Sequence, residues 1–164
     1  MELRGKVALV TGAGRRVGAA IAESLGAQGM RVAVHYRTSK TEARATMARV
    51  EAAGGEAWCV AADLGVGSAP GQLIDNVVAH FGALHVLVNS AASMERTPFA
   101  QTTVDEWDRI LALNSRSLFF LCQAAAPHMA GGGAIVNLAD LVAFETWPAY
   151  IPHGVSKNAV VYLT

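Results

Sequence analysis

The stretch Lys6-Val7-Ala8-Leu9-Val10-Thr11-Gly12-Ala13-Gly14-Arg15-Arg16-Val17-Gly18 decides how the rest of the chain is read. Lys6–Thr11 is an apolar run of the kind that is buried on both faces of a sheet. Glycines follow at once. Arg16–Gln28 then carries Val17, Ala20, Ile21 and Leu25 at helical spacing, and Gly29 stops it. Strand, glycine turn and helix in one unit is the arrangement in which amides at a helix N-terminus receive an anion such as a pyrophosphate. Glycine makes the turn tight and lets backbone approach the bound group. The spacing Gly12-x-Gly14-x-x-x-Gly18 is one residue longer than the usual dinucleotide fingerprint.

Outward from this unit the pattern repeats. Strand-like runs at Arg31–Tyr36, Ala57–Ala62, Leu84–Asn89 and Ala134–Leu138 alternate with helical stretches at Lys40–Ala53, Gly71–Phe81 and Val104–Met129. A last helix is expected from about Val155, after Pro148 and Pro152. Such alternation, with strands of the fully buried type, predicts an α/β doubly wound parallel sheet of about five strands. No linker, repeat or low-complexity tract divides it, so residues 1–164 read as one domain. Ligands of such sheets bind beyond the carboxyl ends of the strands.

Composition narrows the classes. Among 164 residues, 13 basic and 13 acidic side chains cancel, which speaks against nucleic-acid or polybasic membrane partners. Hydrophobic residues make up 52% and charged ones 16%, so the chain is not disordered. No apolar run approaches the roughly 18 residues of a membrane span. Cys59 and Cys122 sit in apolar runs without metal or disulfide spacing and are expected as buried free thiols. His35, His80, His85, His128 and His153 show no metal-ligand spacing, so no metal is expected. The N-terminus shows no leader pattern, and a cytoplasmic setting is the expectation.

The second strand ends Tyr36-Arg37-Thr38-Ser39, with no carboxylate where an NAD site holds the ribose 2′-hydroxyl. Arg37, with Thr38, Ser39 and Arg16 of the turn, can instead pair with a 2′-phosphate, so NADP(H) is expected over NAD(H).

With these residues in view, the chain resembles the short-chain dehydrogenase/reductase family over its whole length. The family segment Thr-Gly-x-x-x-Gly-x-Gly is matched at Thr11, Gly12 and Gly18, with Arg16 at the middle glycine. That variation, like Asp140 below, is similar to the pteridine-reductase-like branch. Asp63, followed by Leu64, matches the aspartate that contacts adenine. Asn89-Ser90-Ala91-Ala92 resembles Asn-Asn-Ala-Gly, Asn114 the asparagine that holds a relay water, and Gly154-Val155-Ser156-Lys157 the end of Tyr-x-x-x-Lys. The resemblance implies a Rossmann-like cofactor domain and hydride transfer between NADP(H) and a small carbonyl or pterin-like molecule. It implies Gly12, Gly14, Arg16, Val17, Gly18, Tyr36, Arg37, Thr38, Ser39, Asp63, Leu64, Asn89, Ser90, Ala91 and Lys157 as cofactor contacts. It also implies a homodimer or homotetramer, and family elements beyond Thr164 that cover the substrate.

The resemblance breaks where the proton is handled. His153 stands four residues before Lys157, where the family has tyrosine, and Asp140 stands thirteen before His153, where it has serine. Histidine exchanges protons near neutral pH, and a carboxylate beside it favours its charged form. Asn114, Asp140, His153 and Lys157 are therefore the candidate catalytic set. Two plainer readings stand beside this one: His153 packs near the cofactor without transferring a proton, and Asp140 pairs with Lys157. Tyr150, seven residues before Lys157 with Pro152 between, is not expected to replace the tyrosine. The alternative function is an NADP-binding but catalytically inactive family member, a sensor or oligomer partner.

Overall fold

Alternating side chains of the central strand build the two halves of the core. In the computed structural model, which describes residues 2–164, β1 (Val7–Val10) is buried along its whole length. Val7 and Leu9 enter one apolar layer, with Leu73, Ile74, Val77 and Phe81 of α3 (Ala69–Phe81) and Leu121 and Ala125 of α5 (Ser117–Ala125). Ala8 and Val10 enter the other, against Ala22 of α1 (Arg16–Ala27) and Ala43 and Val50 of α2 (Lys40–Ala52). Every Cβ of a strand alternates across the sheet, so both faces of β1 must be apolar and both must be covered.

Around β1 lie β2 (Arg31–Tyr36), β3 (Glu56–Ala61), β4 (Val86–Asn89) and β5 (Ala134–Asn137), all parallel, in the order β3-β2-β1-β4-β5. The five-strand doubly wound fold is as the alternation predicts. The chain winds outward from β1 to β3, then returns to the other side through β4. The reversal opens a crevice beyond the carboxyl ends of β1 and β4, where such sheets hold ligands.

The strands and the first two helices lie within two residues of the sequence-based boundaries, and the larger or more telling differences are in three later helical regions. α3 starts at Ala69 rather than Gly71, and α6 (Ile151–Tyr162) starts at Ile151 rather than near Val155. Both take a proline, Pro70 and Pro152, into the first turn, where the missing N–H has no helical partner to lose. The long helical region 104–129 is subdivided. α4 (Val104–Leu111) begins at a capping box of Thr103 and Glu106 and passes into a π-helical turn, Ala112–Arg116. α5 follows, and a 3₁₀ turn, Ala126–Met129, closes it around Pro127. Cys59 and Cys122 are free as expected but only half-buried, because one lies on the edge strand β3 and the other beside the sheet on α5. Among the described residues no helix is long and apolar enough to cross a membrane.

Candidate functional site

At the end of β1, backbone packing fixes the glycine turn. Gly12 has a φ of +64°, and a Cβ there would stand 2.9 Å from the Ala91 Cα. A Cβ on Gly14 would stand 2.6 Å from Ser39 Oγ, and one on Gly18 2.6 Å from the Gly12 carbonyl oxygen. The turn is thus pressed between the segments that follow β2 and β4. Thr11 Oγ1 ties the second of these in place, accepting from the backbone N–H of Ser90 and of Ala91, each at 3.0 Å. No side chain caps the N-terminus of α1 and no acidic residue lies in its first turn, an arrangement that favours an anion there. Arg16 has a φ of +54°, the one positive value on a non-glycine residue among those described. It holds the conformation that glycine would take freely, at a cost of about 1 kcal/mol.

Of the remaining cofactor candidates, Arg16, Val17, Arg37, Thr38 and Asp63 are exposed around this turn, while Tyr36, Ser39, Ser90 and Ala91 are half-buried. Asp63 Oδ1 accepts the Gly65 N–H at 3.0 Å. Leu64 is packed into the core, so its side chain is not offered to the crevice. Asn89 is buried at the end of β4 and donates to Asn137 Oδ1 at 2.8 Å. Sequence reasoning passed over His35. Its ring is buried directly under the turn, where Nδ1 accepts the Gly12 N–H at 3.1 Å and Nε2 meets the Ala62 carbonyl at 3.1 Å. Burial pushes the His35 pKa down to about 4, against the smaller opposing effects of Ala62 and the Asp63 charge.

The second cluster is made of groups from four segments, three contributing side chains and one the Ser93 backbone. α6 includes His153 and Lys157 one turn apart, which its early start allows, and both are buried. His153 Nε2 lies 3.3 Å from Asp140 Oδ2, and its Nδ1 lies 3.0 Å from the Ser93 carbonyl oxygen. Asn114, in the π-helical turn, binds both polar groups of the Ser93 backbone: its Oδ1 accepts the N–H at 2.8 Å and its Nδ2 donates to the C=O at 2.9 Å. The same Nδ2 lies 2.9 Å from Ser156 Oγ and 3.3 Å from His153 Nδ1. A π turn shifts the residues after it around the helix axis, and such turns recur at functional sites. Ser93 and Ser156 were not foreseen as members. Ser93 Oγ also donates to Glu95, which Arg109 holds through an ion pair at 2.6 Å.

Asp140 and Lys157 do not form an ion pair. Lys157 Nζ donates instead to the Leu138 carbonyl, and the near partner of Asp140 is His153. Burial alone would raise the Asp140 pKa. The Val142 N–H, the His153 ring and the Lys157 charge outweigh it and hold the carboxyl below its usual range. Burial lowers the Lys157 pKa, partly countered by Asp140. Tyr150 stands at the start of α6 against Trp147, with ring centroids 6.3 Å apart, and takes no part in the cluster. Beside it, a cleft of about 290 Å³ lined by Val142, Phe144, Trp147, Tyr150 and Gly154 opens between the segment after β5 and α6. Among the described residues no group of three or more His, Cys, Asp or Glu could hold a metal.

Known proteins resemble the chain along nearly its whole length. The family model for short chain dehydrogenase matches residues 6–164. The 3beta-hydroxysteroid dehydrogenase 1 of Eggerthella lenta is 33% identical over 166 residues, which cover 99% of this chain and 64% of that protein. A versicolorin reductase of Emericella nidulans is 36% identical over 160 residues, 97% of this chain and 61% of that protein. The chain therefore spans less than two thirds of the length of these relatives. A short chain dehydrogenase from Burkholderia cenocepacia, solved in complex with NADP, superposes with a TM-score of 0.94 at 37% identity, covering all of this chain and 67% of that one.

Proposed function

The chain belongs to the short chain dehydrogenase family, and on that premise we propose that it is an NADP(H)-dependent oxidoreductase acting on a small carbonyl or pterin-like substrate. One observation carries the catalytic half: His153 is held between the Ser93 carbonyl and Asp140, one helical turn from Lys157. The cradle that a Cβ would fill at Gly12, beside an uncapped helix N-terminus, supports the cofactor half. It suits a pyrophosphate, with Arg16, Arg37, Thr38 and Ser39 placed around it for a 2′-phosphate. When bound, the nicotinamide supplies or accepts the hydride.

The protein's own residues then have separable tasks. Lys157, anchored on the Leu138 carbonyl, presents its remaining N–H donors to the ribose. Asn114 fixes the Ser93 carbonyl, and with it the orientation of the imidazole. His153 reaches the Ser93 carbonyl through Nδ1 and Asp140 through Nε2. The proton is assigned to the His153–Asp140 pair, and Asp140, the more accessible of the two at 30% against 2% exposure, is the member that meets the substrate. Self-association belongs to the same reading, supported by exposed Trp107 on α4, Phe119 and Phe120 on α5, and Val155 on α6.

Consumption of NADPH over a panel of ketones, quinones and pterins tests this. Turnover with the natural chain, and its loss in both His153→Ala and Asp140→Ala, is expected. Pterins belong on the panel because Arg16 and Asp140 resemble the pteridine-reductase-like pattern at those two positions. Cofactor binding without turnover, with activity appearing only in His153→Tyr, would favour the inactive, sensor-like reading, for which the missing tyrosine is the specific observation.

A further inference from the structure

His35 is a buried titratable side chain that none of the steps above uses, yet it grips the turn on which they depend. Its ring joins two backbone segments that are separated in sequence and flank the proposed cofactor crevice. Nδ1 accepts from Gly12, so the ring's one hydrogen resides on Nε2 and is donated to the Ala62 carbonyl. Both nitrogens are used by a single neutral tautomer, with no polar capacity left over. The backbone around it is equally determined: the Ala13 N–H donates to the His35 carbonyl at 2.8 Å, and the Ala62 N–H to the Tyr36 carbonyl at 3.1 Å.

The Gly12 amide is the end of the clasp that matters. It begins the turn at a positive φ, hard against Ala91, and its direction sets the course of the amides leading into α1. An unpaired N–H at this half-buried place would turn the peptide towards another acceptor. We infer that His35 is a positioning residue for the cofactor, its Nδ1 holding the Gly12 peptide in the orientation that receives a dinucleotide pyrophosphate. The inference rests on the cofactor reading above and extends it to a side chain that never touches the ligand. Asp63, following β3, is the near charge acting on the ring, while Arg15 and Arg16 of the turn and Arg37 following β2 are exposed.

Two substitutions separate the ends of the clasp. In His35→Asn the side-chain oxygen reaches the place of Nδ1, keeping the Gly12 bond and losing the one to Ala62. In His35→Gln the terminal amide reaches the place of Nε2, keeping Ala62 and leaving the Gly12 N–H without an acceptor. The expected outcome is NADP⁺ affinity within about threefold of the natural chain for His35→Asn and about tenfold weaker for His35→Gln, the scale of one hydrogen bond. Exchange of the Gly12 amide, followed by NMR in cofactor-free protein, is expected to accelerate in His35→Gln alone. Equal affinities for the two variants, or losses that follow their melting temperatures, overturn the inference. Unchanged Gly12 exchange in His35→Gln overturns it without reference to any ligand. Absence of NADP⁺ binding by the natural chain overturns the proposed function itself, and with it the cofactor role of His35.

Discussion

Around the turn after β1, backbone meets backbone, or one buried side chain grips backbone. Gly12 packs on Ala91, Gly18 on Gly12, and His35 clasps Gly12 to Ala62. Around His153 the contacts join four distant segments, through the side chains of Asn114, Asp140 and Ser156 and the backbone of Ser93. The first region is rigid by exclusion of volume, and an extra methyl group is enough to damage it. The second is held by a hydrogen-bond network that includes the His153–Asp140 pair, so a change of charge there matters where a change of size does not. In the proposed function the first region holds the cofactor and the second handles the proton.

The largest effect should come from volume. Gly18→Ala forces a Cβ to 2.6 Å from the Gly12 oxygen, and a loss of about 3 kcal/mol is expected in denaturant unfolding. A variant as stable as the natural chain would show that the turn is looser than its packing implies.

A similar magnitude comes from protonation of the same region. The His35 pKa is lowered to about 4, so between pH 6.5 and 4 the unfolded chain binds a proton that the folded one refuses. The contribution of the neutral ring is complete above the unfolded value and is lost as pH falls to the folded one, roughly 3 kcal/mol in all. The stability difference between the natural chain and His35→Asn should therefore shrink on acidification. A constant difference would mean that the ring titrates normally.

In the second region charge should matter where size does not. Asp140→Asn is nearly isosteric, yet turnover should fall about a hundredfold, the usual contribution of a positioned acid or base, with the melting temperature little changed. Turnover equal to that of the natural chain would leave the His153–Asp140 pair without a role. The smallest effect returns to the turn. Arg16→Gly relieves a left-handed backbone and should add about 1 kcal/mol of stability, while weakening NADP⁺ relative to NAD⁺.

The same contrast explains what could be read from the sequence. Glycine spacing and buried-type strands are local patterns, and they led to the five-strand parallel sheet and to the turn. Pro70 and Pro152 concealed the true starts of α3 and α6, because a proline in a first turn looks the same in sequence as one that ends a helix. Ser93 and Ser156 carry no pattern of their own, and they join the site only when the chain folds across sixty residues to bring Ser93 to His153. His35 had a signal that was available: a polar side chain in an otherwise buried strand must find partners, and the nearest backbone was the glycine turn.

Equilibrium titration of the natural chain with NADP⁺ and with NAD⁺, repeated on Arg37→Ala, tests the central claim most directly. Saturable binding is expected, with NADP⁺ at least about tenfold tighter, and Arg37→Ala should remove most of that difference, as loss of a charge-assisted contact to phosphate would. Equal affinity for the two nucleotides, or no saturable binding of either, would contradict it.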